Sequence, residues 1–494
     1  MESSAAFFDS LINGEKCGFF DRLINGEQTM KSLTDRYHAF MAGRPERIKM
    51  YRSLTGLVIP IAIQNLLASL VNSADVLMLE YVGPDELAAV SLANQYMFIL
   101  WGFFFGINSA MTIMNAQYWG KGDKRAIQAV FGIALKISMI ITAVVSLGCV
   151  LFPRQLMTLY TDEQKLIDIG VEYLETIGWS YFLMSFAECY LCLLRSVEKA
   201  KKSTVISTLT LIINVFLNAV FIFGLFGAPK MGVFGVAVAT LIARCVELVI
   251  CLVDFLRGTV LIPDLKLLFG HHAELQKDFF KYAGPALAND LIWTLAFSTY
   301  SIILGHMNED IVAASAVAAT IRDMFTTVCF GISSGGTILI GKTLGAGNLE
   351  KAKKDASLLC RITFVSTAIM GIILVAVRHP VIGLFSKLTP QSYEYLDIMM
   401  LISGYYIIGQ TMNTLLIAGI FRAGGNSKFG MICDTVTMWC VSVPLGFLNA
   451  FVFELPPMVV YFVLCLDEFW KIPVVYRYYK SYRWLKNITR DEVV

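Results

Sequence analysis

Asp75 stands inside an apolar run from residue 54 to residue 80, where an acid has no ordinary structural use. A carboxylate at hydrocarbon depth costs about 2.5–3.5 kcal/mol on insertion scales, so it needs a partner or a task. Asn72 lies one turn behind it on the same helical face. Such a carboxylate can take a proton or hold a cation with amide oxygens; equally, Asn72 can cap it and leave it a packing element. Glu188 falls seven residues before Arg195, two turns away on one face. It is a candidate second proton site, or an interfacial side chain that pairs or snorkels. Arg244 and Glu247, three apart, most simply neutralise each other. Asp290 and the adjacent pair Arg322 and Asp323 set a cation among acids near mid-membrane, the composition of a buried network with at most one carboxylate left to protonate.

All of this is ion-exchange chemistry rather than bond-making chemistry. None of the five histidines (His38, His271, His272, His306, His379) falls centrally in an apolar block. No His/Asp/Glu metal set or Ser/His pair is therefore expected at membrane depth, and neither a catalytic nor a metal site. Cys189 and Cys192 form a C-x-x-C without a second ligand pair and are expected as buried small residues. Gly336–Thr343 spells GTILIGKT, a literal match to the phosphate-binding loop pattern. That loop needs a strand before it and a helix after it, so that backbone N–H groups can cradle phosphates. Here the match falls at the end of an apolar block, and Gly341, Gly345 and Gly347 are expected to let helix ends approach closely and turn.

The elements that must position these residues are membrane helices. Of 494 residues, 56% are hydrophobic and only 16% charged, too apolar for an ordinary soluble protein. The apolar residues gather into twelve blocks of about 20 residues or more, the length that crosses roughly 30 Å of hydrocarbon. None shows the short apolar-polar alternation of barrel strands. Loops after even-numbered blocks hold the basic residues, among them Lys121, Lys124, Arg125, Lys199, Lys201, Lys202, Lys351, Lys353 and Lys428. By the positive-inside tendency both termini face the cytoplasm. The expected organisation is a cytoplasmic tail over 1–50, with its own short duplication (FFDSLINGE, FFDRLINGE), a six-helix lobe over 51–257, and a linker over 258–278. A second six-helix lobe over 279–480 and a tail over 481–494 complete it.

The two lobes are copies. Phe105–Ile113 reads FGINSAMTI and, 225 positions later, Phe330–Ile338 reads FGISSGGTI, identical at six of nine places. The same ungapped offset aligns Pro60 with Pro285, Ala88, Ala89 and Ala93 with Ala313, Ala314 and Ala318, and Gly120 and Gly122 with Gly345 and Gly347. An even number of spans per copy gives both the same orientation, the arrangement of a parallel repeat. Pro60 and Pro285 free backbone carbonyls on the first helix of each lobe and allow it to bend. Aromatic and sulfur side chains on the second block, Tyr96 and Trp101 among them, can offer π-faces to organic cations or simply pack. Asn94, Gln95 and Asn108 are candidate polar lining of a central cavity.

Several segments together resemble the multidrug and toxic compound extrusion (MATE) family, over about residues 50–485. They are Pro60, ADVLMLEYVGPDELAAVSLA (74–93), the turns YWGKGD and TLGAGN, FRAGGNSKF (421–429) with its weaker partner LLRSVEKAK (193–201), and NVFLNAVFIFG followed by GVFGVAVAT. The resemblance implies an all-α integral membrane protein of twelve helices in two six-helix lobes about a V-shaped cavity. It implies export of organic cations driven by H⁺ or Na⁺, with no other cofactor. In one branch of that family the acid matched by Asp75 binds the coupling ion with Asn and Asp on span five and Thr on span six. Asn214 and Thr240 fit these places, but Asn218 stands where the second acid would be, removing a formal charge. Second-lobe acids of another branch fall near Trp293 and Thr411 here, neither acidic. The expectation is a bacterial plasma-membrane antiporter, monomeric, whose partners are small organic substrates and membrane lipid, not nucleic acid. A flippase of lipid-linked oligosaccharide or peptidoglycan precursors, on a related scaffold, is the alternative. It would favour several cavity arginines, whereas only Arg244 and Arg322 lie well inside blocks and both have acidic neighbours.

Overall fold

The computed structural model describes residues 44–383 and 389–491, and gives the backbone alone for 44–52, 72–73, 76–77, 80 and 328–329. The tandem duplication in the tail and the Asn72 side chain lie outside the described residues. The first lobe runs α1 (Arg44–Val82), α2 (Pro84–Lys121), α3 (Lys124–Leu151), α4 (Gln164–Ser196), α5 (Ala200–Phe223) and α6 (Gly232–Leu256). The second runs α7 (Ala273–Gly305), α8 (Glu309–Gly345), α9 (Leu349–Ala376), α10 (Pro390–Thr414, continued through Phe421), α11 (Ser427–Val452) and α12 (Pro457–Leu464 with Asp467–Lys480). Two boundaries differ from expectation. α1 begins at Arg44, inside the stretch read as tail: Pro45 falls in the first turn, where proline is tolerated, and ERIKMYR after it has neither Gly nor Pro. α7 begins at Ala273, and the connection before it contains a short helix, Leu265–Phe269, capped by the Asp264 carboxylate.

Ten of the twelve are apolar enough over a sufficient length to cross a membrane. α10 and α12 are the other two. α10 buries Gln410, Thr411 and Asn413, and α12, interrupted at Cys465 and Leu466, buries Asp467, Glu468 and Lys471. The first helix of each lobe continues through its proline, α1 through Pro60 and α7 through Pro285.

The repeat explains local chemistry as well as topology. α2 ends on Gly122 in a left-handed conformation (φ 82°), and Asp123 then caps α3 by accepting from the Ala126 N–H. One repeat later Gly347 (φ 75°) and Asn348 make the same turn, with Asn348 accepting from the Lys351 N–H. Glycine takes positive φ without the Cβ clash that other residues meet.

The lobes touch through α1 on α8, α2 on α7, and α2 on α8. Small residues set these contacts in pairs related by the 225-residue offset. A Cβ on Gly106 would lie 2.9 Å from the Leu287 Cβ and 3.5 Å from the Ala283 oxygen. On Gly331 it would lie 3.4 Å from the Val58 oxygen and 3.5 Å from the Ala62 Cβ. Val58 and Ala62 are the repeat equivalents of Ala283 and Leu287. Farther along, Gly120 lies against the Lys342 carbonyl and Gly345 against the Gln117 carbonyl, again equivalents, so the α2 and α8 backbones cross almost in contact. These approaches all fall in the basic-loop halves of α2 and α8, and that end of the bundle is closed. Lys342 also reaches Glu198 after α4, at 2.6 Å. Gln117 Nε2 reaches the Ala423 carbonyl after α10, at 2.7 Å. The GTILIGKT match is therefore continuous helix, with its lysine in an ion pair between lobes.

Candidate functional site

α5 lies between α1 and α6 and puts Asn214 and Asn218, four apart, on one face. Asn218 Nδ2 donates to Asp75 Oδ1 at 2.7 Å and to Asn214 Oδ1 at 3.4 Å. Asn214 Nδ2 donates to Thr240 Oγ1 at 3.1 Å, and Thr240 donates onward to the Val236 carbonyl at 3.0 Å. The four side chains singled out in the sequence thus form one hydrogen-bonded row across α1, α5 and α6. Asn218 is fully buried, and its Oδ1 has no hydrogen-bond partner among the described residues. Leaving a buried acceptor unpaired costs about 1–3 kcal/mol. The amide nitrogen of Asn218, not its oxygen, faces Asp75, and the carboxylate with the amide and hydroxyl oxygens of the row supplies oxygen ligands of the kind that take a proton or a small hard cation. Asp75 lies fifteen residues beyond Pro60, toward the end opposite the basic loops.

Glu188 shares Arg244 with Glu247. Arg244 Nη1 is 2.6 Å from Glu247 and 3.9 Å from Glu188. The pairing expected within α6 is present, and α4 adds a second acid to it. Arg195 instead donates to Ser203 at 3.3 Å.

The second-lobe trio does not assemble. Asp290 pairs with Arg422 at 3.0 Å. Arg322 lies over the Tyr406 and Phe297 rings, 5.1 and 5.9 Å from their centroids, and Asp323 is exposed. The physical reason is geometric: adjacent residues on a helix point about 100° apart, so a sequence neighbour is not a spatial one.

In its place stands a cluster not singled out from the sequence. Lys471, 1% exposed, bonds Asp434 at 2.8 Å and Glu468 at 3.1 Å. Asn413 donates to Glu468 at 2.8 Å, Asn289 donates to Asp434, and Arg422 joins Asn289 (3.1 Å) to Asp290. A polar rod from α7, α10, α11 and α12 thus threads the second lobe. Asp467, fully buried, adds a fourth carboxylate whose Oδ2 has no partner among the described residues. The available signal was ionisable residues within the last two blocks, with Glu468 and Lys471 three apart.

Of the expected cavity residues, Asn94 sits where α2 breaks and accepts from the Tyr173 hydroxyl at 3.2 Å. Gln95 is exposed, and Asn108 is half-buried with its Oδ1 unpartnered. Tyr96 is a correction. It packs inside the first lobe, edge-on to Tyr160, with its hydroxyl on the Leu156 carbonyl at 2.9 Å, so its ring faces no cavity. The C-x-x-C sulfurs meet hydroxyls: Cys189 and Ser138 at 3.1 Å, Cys192 and Thr112 at 3.4 Å.

The MatE family model matches residues 60–220 and 285–448, two segments that begin on the repeat-related prolines. An uncharacterized transporter, YisQ, from Bacillus subtilis is 25% identical over 439 residues, covering 88% of this chain and 95% of its own. A probable multidrug resistance protein NorM from Thermotoga maritima is 25% identical over 475 residues, covering 93% and 99%. Among solved structures, the outward-facing conformation of a multidrug resistance MATE family transporter superposes with a TM-score of 0.78 at 19% identity, over 89% of this chain and 97% of that one. A MATE protein solved in the bent conformation gives 0.79 at 18%, over 87% and 95%. With its duplicated six-helix lobes meeting at the basic end, this chain belongs to the MATE family of integral membrane transporters.

Proposed function

We propose that this transporter is an antiporter exporting amphipathic organic cations in exchange for H⁺ or Na⁺, with Asp75 as the group that binds the coupling ion. The observation that carries the reading is the Asp75–Asn218–Asn214–Thr240 row, in which a half-buried membrane carboxylate is held by the amide of the fully buried Asn218. In this reading the basic end is cytoplasmic, and the contacts there hold the state that faces outward. An external ion loads Asp75, the donor bond from Asn218 rearranges around the neutralised carboxylate, and α1 adjusts where Pro60 has removed a backbone hydrogen bond. Substrate leaves the cavity between the lobes, and the ion is released inward after the lobes rock. An ion drives such a cycle only if it binds one state better than the other.

The test is dye efflux from proteoliposomes with Na⁺ and pH gradients imposed separately. One inward cation gradient is expected to accelerate efflux severalfold; efflux indifferent to both contradicts antiport.

A second reading places coupling in the other lobe. Among the described residues Asp290, Asp434, Asp467 and Glu468 have Arg422 and Lys471 as the cations of the buried rod, and Asp467 Oδ2, without a partner there, can hold a proton. Asp467→Asn separates the two readings: it leaves ion-driven efflux intact under the first and abolishes it under the second.

A further inference from the structure

After α12 the chain turns at Ser481–Trp484, buries the Trp484 ring and runs back beneath the closed end of the bundle. Both lobes hold it. From the first lobe, Gln117 donates to the Lys486 carbonyl at 3.1 Å and accepts from the Ile488 N–H at 2.8 Å. From the second, Arg490 pairs with Asp278 at 2.7 Å and Glu274 at 2.8 Å. These carboxylates, Asp278 foremost through its hydrogen bond, hold the Arg490 guanidinium above its usual pKa. Gly424 and Gly425 bring the turn after α10 onto this strap: a Cβ on Gly424 would strike the Trp484 carbonyl, and one on Gly425 would lie 3.0 Å from the Ile488 side chain.

Between the strap, the first turns of α7 and the Gly424–Lys428 turn lies a cavity of about 570 Å³, within the range of small-molecule sites. Lys281, Lys428 and Lys486 face it, and its one acid, Asp278, is already taken by Arg490. A second hollow of about 400 Å³ shares Asn426, Lys428 and Lys486 with the first and adds Arg483 together with Phe429, Ile432 and Tyr478. Among the described residues Lys281, Lys428, Arg483 and Lys486 have no acidic partner within 4.0 Å. Ile432, 57% exposed, continues the apolar wall along α11 away from the cations. Uncompensated positive charge at a basic membrane boundary, joined to an apolar wall, has the chemistry that takes an anionic headgroup and the start of its acyl chain.

We propose that this double hollow is a binding site for an anionic phospholipid. The phosphate sits among Lys281, Lys428 and Lys486, and the chain lies along Phe429 and Ile432. Because Lys486 belongs to the strap, the site is complete only when the strap is docked, so a bound lipid favours the arrangement closed at the basic end. This inference does not depend on which ion the carrier uses.

The test uses the full-length protein in detergent, titrated with phosphatidylglycerol, phosphatidylcholine and free glycerol 3-phosphate, with bound lipid read by native mass spectrometry. The variant is Lys281→Gln/Lys428→Gln/Lys486→Gln. The control, Lys199→Gln/Lys201→Gln, removes exposed charge from the same end but from a different turn. Wild type and control are expected to retain phosphatidylglycerol about tenfold or more over phosphatidylcholine, and the triple variant to retain the two equally. Hydrogen exchange at the Ile488 amide is expected to slow on adding phosphatidylglycerol in wild type and control, and not in the triple variant. Undiminished preference in the triple variant, or equal loss in the control, overturns the site. Free glycerol 3-phosphate binding as tightly as the lipid shows a soluble-anion site instead and overturns the lipid assignment.

Discussion

At the scale of single residues, the membrane interior makes each polar atom expensive to leave alone, and both lobes answer with chains of side-chain hydrogen bonds. Asn218 is the pivot of the first: its one amide nitrogen serves Asp75 and Asn214 together. Asn218→Leu strips both bonds and is expected to destabilise the protein by about 1–3 kcal/mol and to lower ion-driven efflux. Unchanged thermal unfolding together with full coupled efflux contradicts that. In the second lobe, Lys471→Met leaves Asp434 and Glu468 without their buried cation, expected to cost about 3–5 kcal/mol. Lys471→Met/Asp434→Asn is expected to recover part of that loss in a thermal melt, and no recovery argues that the lysine acts through something other than charge. The first chain was legible in the sequence because a family pattern tied Asp75 to Asn214 and Thr240 across more than a hundred residues. The second was not, because Asn289 and Asp434 are 145 positions apart and no local spacing joins them.

At the scale of elements, the long apolar blocks and the repeat offset show twelve helices and their pairing directly, since hydrocarbon admits few other backbones. The repeat also paired Gly120 with Gly345, a glycine expected from the sequence to let helix ends approach closely. Gly120 and Gly345 are where α2 and α8 cross backbone to backbone, each pressed on a carbonyl of the other helix. Gly345→Leu is therefore expected to hold the basic end apart while leaving every helix intact. Faster exchange of the Ile488 amide, with unchanged helical content by circular dichroism, is the measurement. Protection equal to wild type shows that the crossing yields without opening. What periodicity could not show was the break in α12, or the polar interiors of α10 and α12, whose buried side chains resemble loop composition.

At the scale of the whole molecule, the lobes are fastened at one end by helix packing with two glycine crossings, together with the Lys342–Glu198 pair, the Gln117 amide and the C-terminal strap. Glu198 makes its contacts from a left-handed backbone (φ 62°), which costs a side-chain residue roughly 1–2 kcal/mol. A partly exposed ion pair returns about 0–1 kcal/mol, so strain and attraction nearly cancel. Glu198→Gly is accordingly expected to leave global stability within about 1 kcal/mol while loosening the closed end, read as faster exchange at Ile488. A large loss of stability, or no change in exchange, counts against a junction poised for release. The strap itself was unreadable beforehand, because a short polar tail gives no sign that it docks on a glutamine some 370 residues earlier.

The coupling role proposed for Asp75 is tested most directly by placing Asp75→Asn in proteoliposomes and comparing gradient-driven dye efflux with dye exchange at equal ion concentrations on both sides. The account predicts that the variant keeps exchange, showing a folded and inserted carrier, and loses its response to the cation gradient. Gradient-driven efflux at the wild-type rate in that variant contradicts it.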